Sequence, residues 1–348
     1  MVIMSMPRFG YAVLLFILAS IAASPSPAQE PSAMPPFEEW LAGVKAEALA
    51  QGIRAETVEA AFAGVSHDEA VIAADRNQPE KKLEFPTYVS QRLDDRRFAR
   101  GRDKMAAHKE ELAAVAKAYD VQARFIAAIW GLETNFGAHS GGRNIIQSLV
   151  TLAYDPRRTA YFHKELLVAL KILDEGHVTV DKMVGSWAGA MGQPQFMPSS
   201  FMAFAQDFDG DGRRDIWDSY ADVFASIAHY LKSYGWRSDQ TWGRQVMLPK
   251  DFEERVRQAN LAPPSTRCAL RNHIGDMTLA KWQALGVRRL NGAALPKVDV
   301  MASLARPDGP DGAAYLTYGN YRAILRYNCS DYYALTVGKL ADMLKDFE

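Results

Sequence analysis

Apolar residues return every three to four positions through much of the first 245 residues. Phe37, Trp40, Leu41 and Val44, then Val58, Ala61 and Phe62, predict two helices between Phe37 and about Gly64, separated at Gly52. Residues 80–118 are charged and helical, with Arg, Lys and Glu on a solvated face. Val121 to Glu133 is the most apolar helical stretch, followed by Leu149 to Leu173 and Asp222 to Tyr234. From about Val246 the texture changes to prolines and short apolar runs over 262–310. Asp308-Gly309 and Asp311-Gly312 are turn signals beside the strand-like AAYLTYGNYRAILRYN at 313–328. A helix over about Tyr333 to Leu344 closes the chain. No internal repeat is evident. The expected fold class is α+β, mainly helical.

The first residues read as a targeting segment. Arg8 supplies a positive start, and Tyr11 to Ala22 is an apolar run too short to span a bilayer comfortably. Ser26-Pro27-Ala28 places small residues before a cleavage point after Ala28. Residues 1–28 are therefore expected to be a signal peptide and 29–36 a flexible lead-in, rich in Pro, Ser and Ala. No cysteine lies near the cleavage point, so the expectation is a soluble exported protein, periplasmic in a Gram-negative cell, rather than a lipid-anchored one. Hydrophobic content of 48% and charged content of 23% are those of a globular protein. Net charge is −1, with no strongly basic stretch, which argues against a nucleic-acid partner. Export permits a disulfide between Cys268 and Cys329, but spacing alone does not bring them together, and two independent thiols are expected.

Chemistry concentrates at AIWGLETNFG, residues 128–137, where an apolar run ends in one acid, Glu133. A carboxylate there is expensive to bury as an anion, and burial would raise its pKa toward that of a general acid. The alternative is an ordinary exposed glutamate near a helix C-terminus. Asp155, in YDPRR at 154–158, precedes Pro156 and two arginines and reads as a turn or ion-pair residue rather than a second catalytic acid.

Two further stretches are GSWAGAMGQPQFMPSSF at 185–201 and LRYNCSDYY at 325–333. With GLETNFG and YDPRR, they resemble the lytic transglycosylase B family of bacterial cell-wall enzymes, from about Phe37 to the C-terminus. The resemblance implies a lysozyme-like catalytic core with an extra helical subdomain and a small β subdomain around a groove. On the sequence this gives a catalytic region over 37–245, a small β-containing subdomain over 246–324, and a return to the core over 325–348. It also implies a one-carboxylate mechanism in which Glu133 protonates the glycosidic oxygen between N-acetylmuramic acid (MurNAc) and N-acetylglucosamine (GlcNAc). Glu133 then takes the proton of the muramic C6 hydroxyl, which closes onto C1. Carried over residue by residue, Ser186 and Gln195 are polar groove residues, and Tyr327, Asn328, Tyr333 and Tyr88 line the groove. Met191 and Phe196 are apolar wall or core, and Arg157 and Arg158 reach carboxylates on the peptide stem.

DFDGDGRRDIWD at 207–218 opens like an EF-hand calcium loop, with Asp207, Asp209, Asp211 and the Arg213 carbonyl as ligands. Arg214 sits where an apolar residue is expected and Ile216 comes two later, so an enlarged loop closed by Asp222 is expected. The calcium would be structural, and no cofactor is expected for catalysis. Hydrolysis of the same bond, a non-catalytic peptidoglycan-binding protein and a calcium sensor are the competing readings. The expected partner is the peptidoglycan glycan strand, met by a monomer, with proteins of wall synthesis or the envelope machinery also open to it.

Overall fold

The computed structural model describes residues 35–77 and 83–348, so the expected signal peptide and most of the lead-in lie outside the described residues. The helical part runs through α1 (Phe37–Ala50), α2 (Ala55–Phe62), α3 (Glu69–Arg76), α4 (Phe85–Arg92), α5 (Asp95–Ala107), α6 (Lys109–Tyr119), α7 (Ala123–Thr134), β1 (Arg143–Asn144), α8 (Ile145–Tyr154), α9 (Thr159–Asp174), β2 (Val184–Gly185), α10 (Pro198–Phe204) and α11 (Tyr220–Ser233). Then come β3 (Gly243–Met247), α12 (Phe252–Gln258), β4 (Ile274–Thr278), α13 (Leu279–Ala284), β5 (Arg288–Arg289), β6 (Met301–Ala305), β7 (Ala314–Thr317), α14 (Gly319–Tyr327) and α15 (Asp331–Met343).

The most apolar stretch becomes α7, buried on nearly every side from Phe125 to Gly131. A helix apolar all round belongs inside a bundle. Here α11, α15, α5 and α6 pack around it, and each large side chain buried contributes about 1.5–3 kcal/mol. A second cluster joins α8 and α9 to α1, α2 and residues 191–217. The expected helix Leu149–Leu173 is two helices. Pro156 cannot donate a backbone hydrogen bond, and Asp155 before it is extended (φ −73°, ψ 125°), which ends α8.

A third cluster lies on an antiparallel sheet of order β4-β6-β7-β3-β5, centred on Trp282, whose indole N–H donates to the Ala302 carbonyl at 2.9 Å. The strand-like stretch 313–328 is strand only over Ala314–Thr317. Past Gly319 the buried positions are Asn320, Tyr321, Ala323, Ile324 and Leu325, a helical spacing, and α14 forms instead.

The expectation of two free thiols is corrected: Cys268 and Cys329 form a disulfide, with Cα atoms 5.1 Å apart. It joins a short 3-10 turn, Cys268–Asn272, to the connection between α14 and α15. The adjoining His273 is buried and bridges Ser303 Oγ (2.9 Å) and Asp331 Oδ1 (2.8 Å), so sheet and helix start converge there. Sixty-one residues separate the two cysteines, and only the tertiary fold brings them together.

Candidate active site

Glu133 sits in the last turn of α7, half-buried. The helix stops at Asn135, whose φ of 52° is left-handed, and Phe136 continues at φ 59°. Phe136 then folds back into a notch made by two glycines. A Cβ at Gly131 would lie 2.5 Å from the Phe136 ring, and one at Gly101 would lie 2.6 Å from it. Glycine is needed at both for this close approach, and the turn it permits fixes the end of α7 that carries Glu133.

Tyr333, at the start of α15, donates its hydroxyl to Glu133 Oε1 at 2.6 Å. Burial pushes the Tyr333 and Tyr327 hydroxyls well above the usual tyrosine range, and the Glu133 carboxylate adds to this in both. Both phenols therefore stay protonated and serve as donors. The two rings stack at 6.5 Å with 14° between planes, and Tyr327 gives its proton to the Pro194 carbonyl at 2.6 Å. Tyr88 is buried beside them. Its hydroxyl acts electrostatically on Tyr333, and the Arg92 guanidinium lies 3.6 Å over its ring. Asn328 is exposed at the end of α14.

The glycine-rich block folds against this end of α7 through Gln193, which the sequence reading passed over. Gln193 is buried. Its carboxamide oxygen accepts the Trp130 indole N–H at 2.7 Å, its N–H donates to the Trp217 carbonyl at 2.8 Å, and its own carbonyl accepts the Thr134 hydroxyl at 3.0 Å. Trp130 and Thr134, on either side of Glu133, are thus tied to one residue, the first through its side chain and the second through its backbone. Gln195, at φ 53°, spans Ser140 and Gly192, donating to their carbonyls at 3.0 and 2.8 Å. Ser186 Oγ accepts the N–H groups of Ala188 (3.3 Å) and Ala190 (3.1 Å). With its lone pairs so used, the hydroxyl proton is left to point elsewhere. The block ends where Glu165 of α9, itself buried, takes the Ser199 N–H at 2.8 Å and hydroxyl at 2.7 Å at the start of α10.

Two expected binding residues are corrected, and two others have a partner within the chain. Met191 and Phe196 are core. Their backbones exchange hydrogen bonds of 2.8 and 3.1 Å, which turns both side chains inward, and Phe196 packs on Tyr230 and Tyr327. Arg157 and Arg158 both ion-pair with Asp75, a buried aspartate of α3, so their guanidinium ends neutralise a charge within the chain. Asp155 is a turn residue, accepting the Arg157 N–H at 2.9 Å and facing Arg76 at 3.4 Å.

The aspartate loop brings Asp207, Asp209 and Asp211 together, with carboxylate oxygens within 4.8 Å of one another, all exposed. Three hard oxygen donors this close suit a calcium-type cation. Arg213 places its guanidinium 2.7 Å from Asp211. Asp222, expected to close the set, stands outside that group. Buried in the first turn of α11, it accepts the N–H groups of Phe208 (2.7 Å) and Asp215 (2.7 Å), and burial pushes it up to about 6. Ile216 is the buried apolar anchor of this loop, and its carbonyl accepts the Gln193 N–H at 2.9 Å.

Residues 36–342 match the family described as Transglycosylase SLT domain. The chain belongs to that family. Within this transglycosylase SLT family, it is 35% identical over 230 residues to membrane-bound lytic murein transglycosylase B of Escherichia coli (strain K12), a match covering 64% of this chain and 56% of that protein's length. The structure of SltB3 from Pseudomonas aeruginosa in complex with NAG-anhNAM-pentapeptide is 45% identical with a TM-score of 0.81, covering 89% of this chain and 79% of that one. Escherichia coli Slt35, solved in complex with calcium, is 25% identical with a TM-score of 0.72, covering 89% and 93%. The mainly helical fold with its small antiparallel sheet is that of these lysozyme-like family members. No helix among the described residues is long and apolar enough to cross a membrane.

Proposed function

We propose that the protein is a lytic transglycosylase that cleaves the MurNAc-β-1,4-GlcNAc bond of peptidoglycan and leaves 1,6-anhydro-MurNAc ends. The observation that carries this reading is the hydrogen bond from Tyr333 to Glu133 at the closed end of α7. Family membership and a relative solved with an anhydromuramyl ligand support it.

Glu133 first gives its proton to the oxygen leaving C1 of the muramic sugar. The breaking bond puts positive charge on C1, and the substrate's N-acetyl carbonyl is the nearest nucleophile. Ser186, its oxygen already accepting two backbone N–H groups, donates its proton to that carbonyl and orients it. Glu133, now anionic, removes the C6 hydroxyl proton and O6 closes onto C1. No water enters, and the carboxyl group ends protonated for the next cycle. Tyr333 holds one carboxyl oxygen throughout, leaving the other to move the proton. Tyr327 and Asn328 form the wall on which the sugar rings lie, and Gln195 holds the 192–195 turn that faces them.

Asp207, Asp209 and Asp211 would hold a structural calcium ion, as the Slt35 complex suggests for its own chain. Bound there, the ion would offset most of the charge of three adjacent carboxylates and stiffen the loop. Export fits both the substrate's location and the disulfide. The test is Glu133→Gln on purified peptidoglycan. Turnover should fall by at least about a thousandfold with melting temperature and glycan binding unchanged. Substantial remaining activity would sink the single-acid reading.

A further inference from the structure

A buried polar chain that the reaction as described does not use ends two residues from Tyr333. His273, immediately before β4, meets Asp331 Oδ1 through Nε2 at 2.8 Å and Ser303 Oγ through Nδ1 at 2.9 Å. Ser303 of β6 lies opposite Thr317 of β7, with their hydroxyl oxygens 3.1 Å apart. Tyr321 of α14 donates its hydroxyl to the same Asp331 oxygen at 2.6 Å. His273, Ser303, Thr317 and Tyr321 are all buried. A buried polar network whose bonds are all made holds its elements in one arrangement. Three neighbouring strands of the sheet, β4, β6 and β7, are thereby tied to one side chain of α15.

Ser303, His273 and Asp331 stand in the order of a nucleophile, a base and an orienting acid. That reading fails on access, because Ser303 is fully buried and no substrate reaches its hydroxyl. The chain leads instead toward Glu133. Asp331 is the first residue of α15, and Ser330 before it makes no side-chain capping bond. The usual device for fixing a helix start is thus missing. The sideways bonds of Asp331 take its place, with the disulfide at Cys329 just upstream. Two residues are about 200° of helix. Asp331 turned toward the sheet therefore puts Tyr333 on the other side of α15, where its hydroxyl donates to Glu133 at 2.6 Å.

We propose that His273 is a positioning residue for the cleavage reaction. Bonded to Asp331, it fixes the rotation of the first turn of α15 and with it the place of the Tyr333 hydroxyl on the Glu133 carboxyl group. This rests on the reading of Glu133 as the acid. A displacement of about 1 Å in such a contact costs a large factor in rate. The small sheet then supports the chemistry without touching substrate.

The test is a cycle of His273→Leu and Tyr333→Phe, read as kcat and KM on soluble glycan strands. His273→Leu should lower kcat roughly ten-fold with KM within about two-fold of native. His273→Gln keeps an amide N–H for Asp331 and should recover most of that loss. In Tyr333→Phe, which has already lost the hydroxyl, adding His273→Leu should cost less than about two-fold more. An unchanged kcat in His273→Leu would overturn the proposal. So would losses that multiply in the double variant, which would mark a general structural role. Should His273→Leu fail to fold, Asp331→Ala breaks the same link nearer the surface and is read in the same cycle with Tyr333→Phe. A second measurement does not depend on turnover. The Cζ resonance of Tyr333 in carbon-labelled tyrosine, identified by its loss in Tyr333→Phe, reports the bond to Glu133. It should move in His273→Leu and return toward the native position in His273→Gln, and a resonance that stays in place would overturn the proposal. If the native protein releases no fragments while that resonance moves, the cleavage reading fails and the link from His273 to Tyr333 stands.

Discussion

The glycine-rich block at 185–197 and the aspartate loop at 207–218 are both irregular, both rich in glycine and polar side chains, and both legible as motifs. They are built in opposite ways. In the block, polar groups reach across the fold, with Gln193 joining Trp130, Thr134 and Trp217, and Gln195 joining Ser140 and Gly192. In the aspartate loop, the carboxylates bond to backbone N–H groups a few residues away. Asp207 takes Gly210 and Gly212 at 2.7 and 2.9 Å, and Asp211 takes Arg213 at 2.8 Å. The first loop is positioned by the core around Glu133. The second holds itself and presents three exposed carboxylates outward. They touch where Gln193 bonds Ile216 and Trp217. A change in the block should therefore reach the chemistry, and a change among the aspartates should reach stability.

Gln193→Leu is the strongest test of this difference. It leaves the Trp130 indole N–H buried without an acceptor and should cost about 2–4 kcal/mol in denaturant unfolding. Turnover should fall with it, because the end of α7 loses its brace. A stable, fully active Gln193→Leu would erase the contrast. Next in size is Ser186→Ala, which should lower kcat/KM roughly ten-fold or more through loss of the hydroxyl donor. Its melting temperature should change little, since each backbone bond is worth about 1 kcal/mol and lies near solvent.

For the other loop, Asp209→Ala with Asp211→Ala should abolish any rise in melting temperature on adding calcium and keep turnover within a few-fold. Identical melting curves of the native protein with and without calcium would remove the metal from the picture. The smallest effect sharpens the boundary between the regions. His108 packs on Tyr220 at 4.0 Å and Trp130 at 6.0 Å, and burial holds its pKa below the usual 6.5, opposed by Glu111. A histidine kept neutral by the fold contributes stability above about pH 6.5 that is lost as pH falls through its lowered pKa. Melting temperature should drop between pH 7 and pH 5, and His108→Phe should flatten that drop.

The place of Glu133, in the last turn of a buried helix, was legible because an apolar run ends at that acid before glycine and aromatic residues. The central helix was legible for the same reason, since its all-round apolarity has one structural meaning. What the sequence hid is long-range pairing. Arg157 and Arg158 read as free cations because nothing marks Asp75, eighty residues earlier, as a buried partner. Met191 and Phe196 read equally as groove wall or core because a six-residue turn gives no period to say which way it faces. Gln193 and Gln195 are two positions apart in one motif, yet only packing shows that the first is buried against Trp130.

The decisive measurement is mass spectrometry of soluble fragments released from purified peptidoglycan by the native protein, with Glu133→Gln alongside. Single-acid ring closure predicts muropeptides one water lighter than hydrolysis products, absent from the variant. Reducing-end fragments of full mass, made by the native protein, would contradict it and show that water enters the site.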